Sequence, residues 1–132
     1  MQKILINKKK IKSFNKTIRV SGDKSLSIRW ILIASLASGI SRSRNLLISE
    51  DVLAAIQAIK KLGIKIILNN KECKIYGKGL DGYKYRKNIV IDAKNSGTLG
   101  RLLPGLLINS THKIKIIGDE SLSKRDFKRI AE

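Results

Sequence analysis

Apolar and polar positions along this chain of 132 residues fall into short blocks. Residues 3–6 and 17–20 read as short strands. Residues 26–37 are apolar almost all round, which predicts a buried helix, and Gly39 is placed to end it. Residues 41–45 read as a polar connection and 46–48 as a short strand. Ser49-Glu50-Asp51 is a strong helix start, a capping hydroxyl followed by two acids in the first turn. Val52, Ala55, Ile56, Ile59 and Leu62 then recur at helical spacing. Lys60 and Lys61 suit the C-terminal dipole, and Gly63 closes the helix.

Residues 64–68 and 72–76 read as two strands joined by the turn Asn69-Asn70-Lys71. A Gly/Tyr/Lys loop follows over 77–87, then a strand over 88–92. Asn95-Ser96-Gly97-Thr98 opens a helix to about residue 108, with Pro104 predicting a kink. A turn over 109–112, a strand over 113–117, a loop over 118–123 and a helix from Lys124 onward complete the pattern. The order is β-α-β-α-β-β, then β-α-β-α. It predicts an α/β (α+β) fold made of one supersecondary unit, to about residue 92, and most of a second copy. The pattern stops inside a helix, so the chain is expected to be part of a longer polypeptide.

Composition narrows the chemistry. Hydrophobic residues make up 42% and aromatic residues 5%, so the core must be mostly Ile, Leu and Val. The net charge of +18 raises nucleic acid, anionic membranes and anionic substrates as partners. Lysines are spread along the whole chain beside frequent Ile and Asn, as an AT-rich coding sequence would give, so most of the excess reads as solvated surface. Nucleic-acid modules interleave aromatic with basic residues. Here Phe14 and Trp30 are isolated, and Tyr76, Tyr83 and Tyr85 lie in or near one loop. No nucleic-acid partner is expected.

A single cysteine, Cys73, gives neither a disulfide framework nor a metal quartet, and reads as a packed strand residue. His112 has no Cys or His neighbour at ligand spacing. No apolar run reaches membrane-spanning length, and the first twelve residues lack the apolar stretch of a secretory signal. A cytoplasmic location and no membrane partner are expected.

Three helix starts combine Gly, hydroxyl and basic residues. They are Gly22-Asp23-Lys24-Ser25 with Arg29, Asn95-Ser96-Gly97-Thr98 with Arg101, and Gly118-Asp119-Glu120-Ser121-Leu122-Ser123-Lys124-Arg125. Free N–H groups at a helix start, beside an ammonium, a hydroxyl and a guanidinium, make an anion site. Ser25 and Arg29, four apart, would share one face. Asp23 between Gly22 and Lys24 excludes a Walker loop, and no Gly-x-Gly-x-x-Gly follows a strand.

Ser-Gly-Asp-Lys-Ser-Leu-Ser-Ile-Arg, Ser-Glu-Asp-Val, Asn-Ser-Gly-Thr-x-x-Arg-Leu and Gly-Asp-Glu-Ser-Leu-Ser-Lys-Arg occur here in order. Together they resemble the N-terminal third of the 5-enolpyruvylshikimate-3-phosphate synthases, the 3-phosphoshikimate 1-carboxyvinyltransferases. The resemblance implies transfer of an enolpyruvyl group from phosphoenolpyruvate to the 5-hydroxyl of shikimate 3-phosphate, with release of phosphate. It implies a monomer of two domains, each of three βαβαββ units, that closes on both substrates without metal or organic cofactor. Residues 1–15 would be a strand segment packing with the second domain, and 16–132 part of the N-terminal substrate-binding domain.

By the same resemblance, Lys24 contacts both substrates, Ser25 binds shikimate 3-phosphate and Arg29 pairs with the shikimate carboxylate. Gly97 is the residue against which phosphoenolpyruvate packs, and Arg125 grips its phosphate or carboxylate. Asp51 matches an acid near the site, but its place in a helix first turn explains it equally well. The catalytic acid/base carboxylates belong to the second domain, which this chain lacks, so the chain alone is expected to be inactive. The family often has Pro where this chain has Ser21, and usually Pro-Met where it has Asp126-Phe127. Asp126 is expected either to weaken the field of Arg125 or to serve a helix first turn. The similar UDP-N-acetylglucosamine enolpyruvyl transferases resemble Lys-Asn where this chain has Lys24-Ser25, and often carry a loop Cys that is absent between Asn109 and Ser123.

Overall fold

In a computed structural model, which describes residues 13, 15–70 and 72–131, Asp23 begins the first helix. Its backbone is extended, and its carboxylate accepts the Leu26 N–H at 2.7 Å. The helix α1 (Lys24–Leu36) buries Ser27, Ile28, Ile31, Leu32, Ala34 and Ser35, while Leu26 and Ile33 stay exposed. The all-round apolar pattern therefore covers a helix with one buried face. It ends at Ala37, not at Gly39, which has φ +104° inside the strand β1 (Ser38–Ser43).

β1 replaces the expected polar connection. Only Ile40 is apolar in Ser-Gly-Ile-Ser-Arg-Ser, so no alternation announced it. Residues 46–48 form no strand. Neither do residues 17–20, where Ile18 and Val20 are exposed and pair with no described strand. The expected strand over 3–6 lies outside the described residues.

The second helix, α2 (Glu50–Lys61), follows its sequence pattern closely. Val52, Ala55, Ile56, Ile59 and Leu62 are all buried, and Gly63 turns the chain with φ +87°. Ser49 is the N-cap residue, but its buried Oγ makes no hydrogen bond; the first-turn acids Glu50 and Asp51 supply the favourable charge.

Next come β2 (Lys65–Leu68) and β3 (Cys73–Lys78), joined by a turn in which Asn69 exchanges hydrogen bonds with Glu72. The sheet order is β1-β3-β2, antiparallel throughout, and both Ser41 and Ile66 lie opposite Ile75. Cys73 and Ile75 point into the core, and α1 packs on β3 and on α2. At Gly77 a side chain is excluded, because a Cβ would lie 2.2 Å from the Ala37 carbonyl oxygen and 2.5 Å from that of Ala34.

The second round is a parallel βαβ unit. Strand β4 (Val90–Asp92) pairs with β5 (Lys115–Ile117), and α3 (Gly97–Leu106) connects them and packs on α1. Pro104 lies inside α3, which stops two residues later. The expected loop after β5 contains a single helical turn, α4 (Glu120–Ser123), and the last helix shortens to α5 (Lys128–Ala131). The cause is Asp119, whose carboxylate caps α4 by accepting the Leu122 N–H at 2.7 Å. One apolar cluster joins both rounds, running from Ile28 and Ile75 to Ile91, Leu99, Leu103 and Leu122. The Tyr83 hydroxyl and Ser35 Oγ, 2.6 Å apart, fasten the long loop to α1.

Candidate functional site

Two of the three helix starts are built differently from one another. At α1 the Leu26 N–H is not free, because the Asp23 carboxylate caps it. Lys24 is held as well, with its ammonium 2.9 Å from Asp51 in the first turn of α2. Ser25 is half-buried and Arg29 exposed, one turn apart on α1. The open anion-binding terminus expected here is therefore a capped helix flanked by side chains. An acid at the N-cap position satisfies the orphan donors better than solvent does.

At α3 the cap is neutral, Ser96 Oγ accepting the Leu99 N–H at 3.2 Å. Nothing acidic sits in the first turn. A Cβ placed on Gly97 would lie 2.8 Å from Arg125 Nη1 and 3.0 Å from Arg101 Nη1. Two guanidinium groups thus converge on the one residue of this turn that has no side chain. The positive end of the helix adds to their field.

Among the described residues neither guanidinium forms an ion pair with a carboxylate, although the charge of Arg125 still acts on Asp119. Arg125 donates to the side-chain oxygen of Asn95 at 2.6 Å. The Asn95 amide donates in turn to Asp119 at 2.7 Å. Arg101 donates to the Asp126 carbonyl at 3.4 Å and lies over the Phe127 ring. The Asp126 carboxylate, expected to weaken Arg125 or to serve a helix first turn, accepts the Lys128 N–H at 2.8 Å in the first turn of α5.

Asp119 holds this corner together. Hydrogen bonding from the Leu122 N–H, above all, holds its carboxyl below the usual value, with help from Asn95 and the Arg125 charge. Asp92 is likewise lowered, first by the Lys94 N–H and then by the Lys94 ammonium. That tight turn, with Lys94 at φ +51°, aims Asn95 toward Asp119.

A chain of contacts links the two candidate anion sites. Lys24 and Asp51 join the starts of α1 and α2. Glu50 and Lys94 line one hollow between the start of α2 and the end of β4. The Asp119 N–H bonds to the Lys94 carbonyl at 2.9 Å, beside the ends of both parallel strands. Ligands of α/β units gather at this carboxyl end of the strands. Arg101 and Asn95 belong to this corner; the sequence places both at the second helix start, without a ligand role for either. Their signal was spacing: Arg101 sits one helical turn after Gly97. Among the described residues, no group of three Cys, His, Asp or Glu side chains could hold a metal ion.

Comparison with known proteins gives a consistent result. The family model for EPSP synthase (3-phosphoshikimate 1-carboxyvinyltransferase) matches residues 8–132. The 3-phosphoshikimate 1-carboxyvinyltransferase of Bacillus cytotoxicus is 41% identical over 97% of this chain and 30% of its own length. That of Streptococcus suis is 42% identical over 93% of this chain and 29% of its own length. The solved EPSP synthase from Acinetobacter baumannii superposes with a TM-score of 0.76 at 40% identity, covering 86% of this chain and 26% of that one. The chain thus spans about 30% of the length of the curated relatives it matches.

Proposed function

Since this chain belongs to the EPSP synthase family, we propose that it forms the substrate-binding part of an enzyme that joins phosphoenolpyruvate to shikimate 3-phosphate. In that reaction the 5-hydroxyl oxygen of shikimate 3-phosphate bonds to the enolpyruvyl carbon. The carbon–oxygen bond to phosphate breaks, and inorganic phosphate leaves. Lys24, Ser25 and Arg29 take the shikimate 3-phosphate. A fork-shaped guanidinium at Arg29 suits a carboxylate bidentately. Gly97 and Arg125, with Arg101 beside them, take phosphoenolpyruvate. Lys24 reaches both.

The observation that carries this reading is the convergence of the Arg101 and Arg125 guanidinium groups on Gly97, neither of them in an ion pair with a carboxylate among the described residues. Both substrates are small polyanions, and bringing them together costs charge repulsion. Fixed positive groups offset that repulsion and hold the hydroxyl against the reacting carbon. Lys24 leaves Asp51 for the substrate, an exchange made easy because the ammonium is half exposed. By the family resemblance the acid/base pair for the proton transfers lies in the second domain, and these residues bind and orient the substrates.

The test is a residue-resolved NMR titration of the 132-residue chain with each substrate. Shikimate 3-phosphate is expected to shift the signals of Lys24, Ser25 and Arg29. Phosphoenolpyruvate is expected to shift those of Gly97, Arg101 and Arg125. With both present, no phosphate is released. Shifts confined to other residues would overturn the site assignment. Phosphate release by this chain would overturn the assignment of a binding role alone.

A further inference from the structure

Arg101 is an exposed side chain on a helix surface, yet its guanidinium sits close to that of Arg125. Two like charges near one point repel, and a free arginine would swing into solvent. Something uncharged must hold it. The Arg101 guanidinium carbon lies 5.3 Å from the centroid of the Phe127 ring, within cation–π range. The Asp126 carbonyl, one residue earlier, accepts from Nη2 of the same arginine.

The ring itself is anchored. Phe127 is half-buried and packs against the core cluster. It stands over Gly100, where a Cβ would lie 3.2 Å from its Cε1 atom. Pro104, Ile116 and Leu122 line the same apolar hollow of about 560 Å³. The residue immediately before Arg101 thus leaves room for the ring, and the ring meets the arginine.

We infer that Phe127 is a positioning residue, whose ring holds the Arg101 guanidinium over Gly97 and thereby sets the anion affinity of the Arg101–Arg125 pair. This rests on the anion-binding reading proposed above. The physical reason for a ring is charge. A carboxylate in its place would hold Arg101 more strongly but cancel the field that a phosphate group needs. A ring face attracts the cation through its quadrupole and leaves the net charge intact. The Asp126-Phe127 pair, which departs from the usual Pro-Met of the family, supplies both neutral restraints, the backbone oxygen and the ring.

The experiment follows the arginine Nε–H NMR signals of the full chain during titration with inorganic phosphate. In the unmodified chain, Arg101 is expected to show a ring-current shift, and both Arg101 and Arg125 to respond to phosphate. Phe127→Leu should abolish the ring-current shift and weaken phosphate binding roughly two- to fivefold, the range that an exposed cation–π contact supports. Phe127→Tyr should restore both. Before phosphate is added, the Arg125 signal should keep its position in every variant, because Asn95 holds it. A merely structural role would instead move the Arg125 signal, and the tyrosine variant would not restore affinity selectively. If Phe127→Leu does not fold, Phe127→Met fills the hollow without a ring face and serves the same comparison. Equal phosphate affinity with and without the ring would overturn this inference alone. No phosphate response at Arg101 or Arg125 in the unmodified chain would overturn the reading of the anion site and the inference with it.

Discussion

The Lys24 ammonium and the Asp51 carboxylate lie 2.9 Å apart, bridging the first turns of α1 and α2. Asp51 is mostly buried at 14% exposure and Lys24 half exposed at 52%, so solvent screens one end of the pair only. Asp51 also sits in a helix first turn, where a negative charge is favourable. Asp51→Asn should therefore lower stability by about 1 kcal/mol. The check is a urea melt, in which the midpoint falls and the slope stays the same. High salt should narrow the difference between the two proteins.

Gly97→Ala should separate folding from binding. Alanine favours a helix over glycine, and the new methyl group would crowd only the flexible ends of Arg101 and Arg125. Stability should hold or rise slightly. Phosphoenolpyruvate binding should fall by about tenfold or more, because the guanidinium groups must leave the position in which they converge. Thermal melting and a binding titration on the same sample read both effects.

The neighbours of Gly77 are of another kind. The atoms within reach of a Cβ there are the backbone oxygens of Ala34 and Ala37 at the end of α1, which cannot swing away. Gly77→Ala must push α1 off β3 and should cost about 3 kcal/mol or more. Denaturant unfolding checks this, and a cost below about 1 kcal/mol would mean that α1 and β3 pack less closely than described.

Acid should loosen the corner that holds Arg125. The Asp119 carboxyl is lowered from its ordinary 3.8, chiefly by the Leu122 N–H. A carboxyl with a depressed folded value contributes stability above the unfolded value and loses it as pH falls through the folded one. As pH falls below the ordinary 3.8, the Leu122 amide and the Asn95 side chain should therefore lose their protection from hydrogen exchange. In Asp119→Asn that protection should be weaker at neutral pH and nearly independent of acid.

How much of this was legible in the sequence varies with how local the cause is. The helix α2 and the β2–β3 pair could be read because their own residues carry the period, the first-turn acids and the turn. The strand β1 could not, since Ser38–Ser43 has one apolar residue and is held by β3, far along the chain, from Ser43 opposite Cys73 to Ser38 opposite Lys78. Gly39 looked like a helix stop because its left-handed backbone is real but serves a strand. The short α4 was hidden because Asp119 reads equally as a loop residue and as a cap. In the candidate site, Gly97 and Arg125 were named through family resemblance. Their meeting depends on Asn95, Asp119 and the path of β5, which no spacing in one motif records. Of the two readings of Asp126, the one at a helix start fits, because its carboxylate accepts the Lys128 N–H.

The three-stranded sheet has its middle strand last. Both β1 and β2 precede β3 in the chain, and both pair with β3 alone. A ribosome therefore makes both outer strands before the one that joins them. At about 5–20 residues per second, β1 waits for some seconds without its partner strand, open to any extended peptide it meets. How long that exposure lasts is set by the pace of translation between Ser43 and Cys73, so slow codons in that stretch would lengthen it without altering one residue of the finished protein.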